Sequence, residues 1–149
     1  MIWKKSFSLS FPHTIIDVDI LPEHQLRNIA RVNGIQLPVD RILFDRIRNL
    51  FYFDLYTQYY DEIGYQYNDR DFLKLVWDKK IRGKNNRIGY LRESLFESFI
   101  EDRIKANSFF LPATKYINEE FDTLISEEII AEDPGLGLFI THDIFEEWG

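Results

Sequence analysis

"LISEEIIAEDPGLGLFI" (residues 124–140) contains two short apolar runs separated by a turn. Ile129 and Ile130 form the first run and residues 138–140 form the second. The intervening Asp-Pro-Gly is typical of a tight connection between antiparallel strands. Helical patterns precede this hairpin, and helices followed by a small hairpin are the winged-helix pattern. We therefore predict a winged-helix domain over residues 88–149.

Downstream of the hairpin, residues 141–148 (THDIFEEW) begin a short amphipathic pattern. Asp143 suits the N-cap of a helix, and Glu146 three residues later completes a capping box. This interpretation explains Asp143 and leaves His142 as a residue that a first turn tolerates. The predicted packing face of the element is Ile144, Phe145 and Trp148.

Upstream of the hairpin, the most regular helical pattern in the chain covers residues 90–106. Apolar side chains recur there at helical spacing, and charged residues fill the other positions. The predicted buried set is Leu91, Leu95, Phe96, Phe99, Ile100 and Ile104, and the predicted polar set is Arg92, Glu93, Glu97, Asp102 and Arg103. A following helix is predicted over residues 116–126, with a buried set of Ile117, Phe121, Leu124 and Ile125.

The first half of the chain has the pattern of a small helical bundle over residues 14–82, after an extended segment at residues 1–13. Residues 14–21 alternate apolar and acidic side chains, which indicates a strand or an extended linker. Helical patterns follow at residues 22–33, from Pro38 onward, within residues 48–64 and at residues 69–82. The basic stretch around residues 83–87 is the predicted linker to the winged-helix domain.

Each of these helical patterns has apolar residues at the spacing of one helix face. The second places Val39, Ile42, Leu43 and Ile47 on one side. The third carries an aromatic stripe of Tyr52, Tyr56, Tyr59 and Tyr60 with Ile63. Such a stripe can stack on bases or sugars, but helical spacing favours a role in the core.

Composition limits the classes of function. The chain has 149 residues, no cysteine, three histidines and a formal charge of −7. The absence of cysteine excludes disulfides, thiolate metal sites and a cysteine nucleophile, and the histidines lack metal-ligand spacing, so no metal is expected. The sequence shows no secretory signal and no membrane-spanning apolar run, so we expect a cytoplasmic protein without a membrane partner.

The acidic charge also argues against a nucleic-acid partner, because neutralising phosphates requires clustered Lys and Arg. In a winged helix, the helix before the hairpin often reads DNA. Here that helix and its exit carry Glu119, Glu120, Asp122, Glu127 and Glu128 against a single Lys115. DNA readout is therefore the weaker alternative.

The segments LISEEIIAEDPGLG (residues 124–137) and FITHDIFEEW (residues 139–148) resemble the end of the winged-helix domain in the STAND ATPases, a branch of the AAA-like P-loop NTPases. In that family a Met-His-Asp or similar triplet lies here, and its histidine approaches the diphosphate of bound ADP. The resemblance implies that Thr141, His142 and Asp143 form a nucleotide-sensing triplet, with threonine in place of the common methionine.

The first half is similar to the helical lid of the same family. Residues 16–38 resemble the exit from the nucleotide-binding core, residues 47–60 resemble the lid motif near the adenine, and residues 72–83 resemble the next helix. The resemblance implies that Asn49 and Leu50 lie near nucleotide, with leucine at the usual proline position.

The sequence contains no Gly-x-x-x-x-Gly-Lys-Ser/Thr loop and no apolar strand ending in a magnesium-binding acidic pair. We therefore expect no catalysis by this chain alone, and we interpret it as a piece of a parent NTPase. It would sense ADP or ATP held by a nucleotide-binding domain that it lacks, and control conformational switching or homo-oligomerisation. The alternative is a protein-interaction module with an aromatic docking surface.

Overall fold

A computed structural model of the chain describes residues 20–64, 66–83 and 86–142, apart from the side chains of residues 86 and 87. The chain divides into two compact units between Asn68 and Asp69. The segment predicted at residues 1–13, most of the strand predicted at residues 14–21 and the helix predicted from Asp143 lie outside the described residues.

The described part of the N-terminal unit contains helices α1 (Glu23–Val32), α2 (Arg41–Arg46) and α3 (Leu50–Gln58). The first is bounded as the sequence predicts, with Pro22 before it and Gly34, at φ +67°, after it. The second begins later than the predicted Pro38. The Asp40 carboxylate accepts a hydrogen bond from the Leu43 N–H at 2.7 Å and so caps the helix there.

This later start changes which side chains of α2 are buried. Leu43 and Ile47 are buried as predicted. Val39 lies before the helix and is 77% exposed, and Ile42 is 65% exposed. The prediction that all four share one buried face was therefore wrong for Val39 and Ile42.

The core of the N-terminal unit combines aliphatic and aromatic side chains. Fully buried members include Leu26, Leu43, Ile47 and Tyr56. The Tyr56 hydroxyl donates a hydrogen bond to the Gln36 carbonyl at 2.9 Å, and the Tyr60 hydroxyl accepts one from the Gln36 N–H at 2.8 Å. These bonds fix the connection between α1 and α2 onto α3 and the residues that follow it. The predicted core role is confirmed for Tyr56, which is fully buried, whereas Tyr60 is half-buried.

The C-terminal unit begins with α4 (Asp69–Trp77), which continues as a π-helical turn (Asp78–Arg82). The remaining described elements are α5 (Asn86–Ala106), a 3₁₀ turn (Ala113–Lys115), α6 (Glu119–Ser126), β1 (Ile130–Asp133) and β2 (Gly137–Ile140).

The division between the units precedes α4, whereas the sequence placed it after that helix, at residues 83–87. The difference has a physical cause in the contacts between α4 and α5. The Trp77 and Phe96 ring centroids are 5.9 Å apart. The Trp77 indole N–H also donates to the Glu93 carboxylate at 2.5 Å.

The hairpin forms where the sequence predicts it. Strands β1 and β2 pair antiparallel, with Ile130 opposite Ile140 and Asp133 opposite Gly137. The Asp133 carboxylate accepts hydrogen bonds from the Gly135 and Leu136 N–H groups at 2.8 and 3.0 Å, which closes the turn.

A third chain segment joins this sheet. Leu111, between α5 and the 3₁₀ turn, forms an antiparallel bridge with Leu138 through hydrogen bonds of 3.0 and 2.8 Å. Gly137, at φ +114°, permits this approach, because a β-carbon there would clash with the Leu111 carbonyl. The order in this part of the chain is α5, the bridging residue, the 3₁₀ turn, α6 and the hairpin, which is a helical region followed by a small hairpin, as the sequence predicts.

The core of the C-terminal unit combines phenylalanine and aliphatic side chains. Phe96, Phe99, Phe121 and Leu124 are fully buried. Three residues predicted to be buried are exposed instead, namely Leu91 at 46%, Ile104 at 67% and Ile117 at 86%.

Ile117 is exposed because α6 begins only after it. The Asn118 side chain accepts hydrogen bonds from the Glu120 and Phe121 N–H groups at 2.8 and 3.4 Å, so it is the N-cap of the helix. The predicted start at residue 116 was therefore too early.

The described residues are thus mainly helical with one two-stranded antiparallel hairpin, which confirms the predicted fold class. Across that same part of the chain, no helix has both the length and the apolar character needed to cross a bilayer.

Candidate functional site

The end of β2 carries two of the three residues of the predicted sensor triplet, Thr141 and His142. Thr141 is hydrogen-bonded to the connection between α6 and β1 through its N–H and its hydroxyl. Its N–H donates to the Ile129 carbonyl at 3.1 Å, and its single hydroxyl proton faces the carbonyls of Glu128 at 2.6 Å and Ile129 at 3.1 Å. A methionine has no hydroxyl to donate, so the threonine has a structural role that the sequence did not indicate.

His142 follows directly and is exposed to solvent. The residue before it, Thr141, is anchored next to the paired strands by its backbone N–H and by its hydroxyl. The backbone that carries the imidazole is therefore anchored at the end of the hairpin. Asp143, the third residue of the predicted triplet, lies outside the described residues, and so does its predicted capping box with Glu146.

The connection that receives Thr141 contains a residue in an unfavourable backbone conformation. Glu128 has φ +59°, in the left-handed region that costs a residue with a side chain about 1–2 kcal/mol. Hydrogen bonds from the Ile129 N–H to Leu124 O (2.9 Å) and from the Glu128 N–H to Ile125 O (3.0 Å) form a Schellman motif at the end of α6. Glycine usually occupies this position.

A buried arginine holds the same end of α6 from the other side. Arg92, on α5, is only 5% exposed. Its Nη1 and Nη2 donate to the two carboxylate oxygens of Glu127 at 3.0 and 2.7 Å. It also donates to the Thr123 hydroxyl at 3.1 Å and to the Lys80 carbonyl of the π-helical turn at 2.7 Å. The guanidinium therefore joins three elements of the C-terminal unit.

The sequence analysis missed this clamp because it placed Arg92 on the solvent face of α5. Arg103, assigned to the same face, is also 5% exposed, with its guanidinium 4.7 Å from the centre of the Phe109 ring. A charged residue inside an amphipathic pattern carries no sign of burial. The partner Glu127 is also 35 residues away in the sequence.

A second cluster of ionic hydrogen bonds surrounds Glu93 beside the π-helical turn. Arg82 Nε donates to its carboxylate at 2.8 Å, and Arg82 also pairs with Asp78 at 2.9 Å. Burial alone would raise the pKa of Glu93, but the hydrogen bonds from Arg82 and Trp77 outweigh it and lower that pKa below its ordinary value. The cluster fastens α5 to the π-helical turn.

The residues of the predicted lid motif lie at the start of α3 in the N-terminal unit. Asn49 is the N-cap, and its side chain accepts a hydrogen bond from the Phe51 N–H at 2.9 Å. Leu50 is 47% exposed and lines an open depression of about 350 Å³. The other lining residues are Asn33, Ile35, Phe53, Asp54 and Thr57.

The surface of α6 that would face DNA is acidic, as the sequence predicts. Glu119 and Asp122 are exposed on it. Lys115, the lysine that precedes the helix, forms an ion pair with Asp102 at 2.7 Å. Hydrogen bonds from Lys115 and Tyr116 lower the pKa of that carboxyl. Within residues 20–64, 66–83 and 86–142, no three His, Asp or Glu residues lie close enough to hold a metal ion.

Comparisons of the chain with protein-family models, with curated proteins and with solved structures find no match in any of the three.

Proposed function

We propose that this chain is a non-catalytic regulatory part of a STAND-type, AAA-like ATPase. It contacts ADP or ATP held by a nucleotide-binding domain that its own sequence does not encode. The difference between the contacts made with ADP and with ATP controls conformational switching or oligomerisation, because a ligand shifts such an equilibrium only through differential affinity.

The exposure of His142 carries this proposal. An imidazole can donate a hydrogen bond to a phosphate oxygen of a ligand on another domain only if the protein's own core does not enclose it. His142 meets this condition, and the hydrogen bonds of Thr141 limit the motion of its backbone. A phosphate sensor needs both properties.

The start of α3 supports the proposal independently. Leu50 is half exposed beside an open depression with the apolar side chains of Ile35 and Phe53 and the polar side chain of Thr57. A surface with both kinds of side chain suits contact with a ligand or with the domain that holds it.

The proposal is tested in the parent protein, which contains this chain together with the nucleotide-binding domain. The measured quantity is the rate at which that protein releases a fluorescent ADP analogue. Replacing His142 with alanine removes one hydrogen bond to a charged phosphate, so we expect ADP release to accelerate roughly ten-fold or more. His24→Ala is the matched control, because His24 is also exposed but lies on α1. Equal release rates in wild type and His142→Ala would remove the sensor role.

A protein-interaction module is the second candidate. The observation that favours it is a group of exposed apolar residues on α5, namely Ile88 at 41%, Tyr90 at 66% and Leu91 at 46%. Apart from Tyr90, the large exposed apolar residues in the described part of the chain are aliphatic. If the chain is a protein-interaction module, we expect that its gene encodes no P-loop and that ADP does not change the protein's conformation or its partner binding.

A further inference from the structure

The residues that hold His142 form a continuous set of contacts within the C-terminal unit. Thr141 donates its hydroxyl to the carbonyl of Glu128, whose conformation is fixed by the Schellman motif at the end of α6. The neighbouring Glu127 accepts two hydrogen bonds from Arg92. Arg92 in turn donates to the Lys80 carbonyl of the π-helical turn.

Two features of this set are unusual for a merely structural contact. A residue other than glycine in the left-handed region stores strain, and such residues occur preferentially at functional and switching positions. A π-helical turn is also rare, and it is frequently found at functional sites. Here the strained residue and the π-helical turn lie at opposite ends of one hydrogen-bonded path.

We propose that Thr141 is the positioning residue of His142, and that Arg92 stabilises the carbonyls on which Thr141 is held. The Thr141 hydroxyl and these carbonyls form a latch. When the latch is closed, His142 is held at the end of α6. When it opens, the end of β2 moves while the core of the C-terminal unit stays folded. The importance of holding His142 rests on the proposed function, but the latch itself does not.

The latch is tested by NMR hydrogen exchange on the full 149-residue chain without nucleotide. Thr141→Val keeps the shape and removes the hydroxyl, so we expect the amide of residue 141 to exchange roughly five-fold faster, the ratio typical of one lost hydrogen bond. Thr141→Ser restores the hydroxyl and should restore slow exchange. Thr57→Val is the matched control, since the Thr57 hydroxyl also bonds a backbone carbonyl, at 2.8 Å, but in α3.

Glu127→Gln tests the contribution of Arg92, because it removes the carboxylate charge and keeps the side-chain shape. We expect roughly two-fold faster exchange at residue 141, with the Phe99 amide of α5 unchanged. The imidazole resonance of His142 should broaden or shift in Thr141→Val and return in Thr141→Ser.

Three results would overturn the latch. These are unchanged exchange at residue 141 in Thr141→Val, no recovery in Thr141→Ser, or an equal rise at Phe99, which would indicate general destabilisation. Unchanged exchange in Glu127→Gln would remove Arg92 from the proposal. Because no nucleotide is present, the latch can fail while ADP sensing holds, and ADP sensing can fail while the latch holds.

Discussion

The ion pair between Arg92 and Glu127 should be strongly coupled, although one partner is half exposed. The guanidinium is 5% exposed, the carboxylate side chain is 50% exposed, and two hydrogen bonds of 2.7 and 3.0 Å join them. Among the described residues, the Arg92 Nε has no hydrogen-bond partner. Removing Glu127 would therefore leave a buried charge with only neutral acceptors, whereas removing Arg92 would leave a carboxylate that water can solvate.

A double-mutant cycle with Arg92→Met and Glu127→Ala measures this coupling. Hydrogen bonds to charged groups contribute about 1.5–3 kcal/mol each, and a solvent-exposed ion pair contributes about 0–1 kcal/mol. Because one partner is buried and the other is half exposed, we expect a coupling free energy of about 2 kcal/mol, in the lower part of the range for hydrogen bonds to charged groups. The double variant should therefore be more stable than the sum of the single effects implies.

Urea unfolding followed by Trp77 fluorescence gives the four free energies. Trp77 lies in the C-terminal unit, and replacing Trp3 and Trp148 with phenylalanine makes it the only indole reporter. The control cycle uses Lys105 and Glu101, an exposed pair on α5 at 3.0 Å, for which a coupling of about 0.3–0.5 kcal/mol is expected. If the coupling of the buried pair is no larger than that of the control, the assignment of Arg92 as a clamp is incorrect.

Two further predictions concern the same unit. Glu128→Gly removes the strain of the left-handed conformation, but glycine gives the unfolded chain a larger conformational entropy, which opposes folding. The net effect should be a stabilisation of the unit by about 0.5–1 kcal/mol, measured by thermal unfolding. The pKa of Glu93 is lower in the folded protein than in the unfolded chain. The ionised carboxylate therefore stabilises the fold when the pH is above the ordinary pKa of glutamate, and this stabilisation is lost as the pH falls through the lowered pKa. Glu93→Gln should therefore melt earlier than wild type at about pH 7, with the difference shrinking toward about pH 3; an equal difference at both would contradict the ionic role.

Elements that depend on local chemistry could be predicted from the sequence. The hairpin follows from Asp133, Pro134 and Gly135, because the carboxylate and the glycine favour a turn in any context. The boundaries of α1 follow from Pro22 and Gly34 for the same reason. The start of α6 was missed, although Asn118 is a strong N-cap residue, because the apolar Ile117 suggested an earlier start.

Features that depend on distant partners could not be predicted. The assignment of α4 to the C-terminal unit rests on contacts with α5, such as that between Trp77 and Glu93, 16 residues apart. The burial of Arg92 rests on Glu127 and on a carbonyl of the π-helical turn. Helical periodicity identifies an apolar face, but it does not show which charged residues another element will cover.

The position of the predicted sensor triplet along the chain could be predicted, but its contacts could not. Thr141 and His142 follow the second strand, as the sequence indicates. The bonds from the Thr141 hydroxyl to the end of α6 could not be predicted, because they require the left-handed conformation of Glu128, and glutamate gives no indication of that conformation.

The second difference from the STAND ATPases that the sequence resembles, leucine in place of proline at residue 50, has a local explanation. Leu50 is the first residue of α3, and the first N–H of a helix has no intrahelical acceptor, so a proline there loses no hydrogen bond and a leucine gains none. Asn49 has φ −76° and ψ 127°, the extended conformation that a residue before proline also requires. The backbone at residues 49 and 50 would therefore accept a proline at residue 50. Since the side chain at this position decides contact rather than conformation, a leucine at residue 50 is compatible with the lid interpretation.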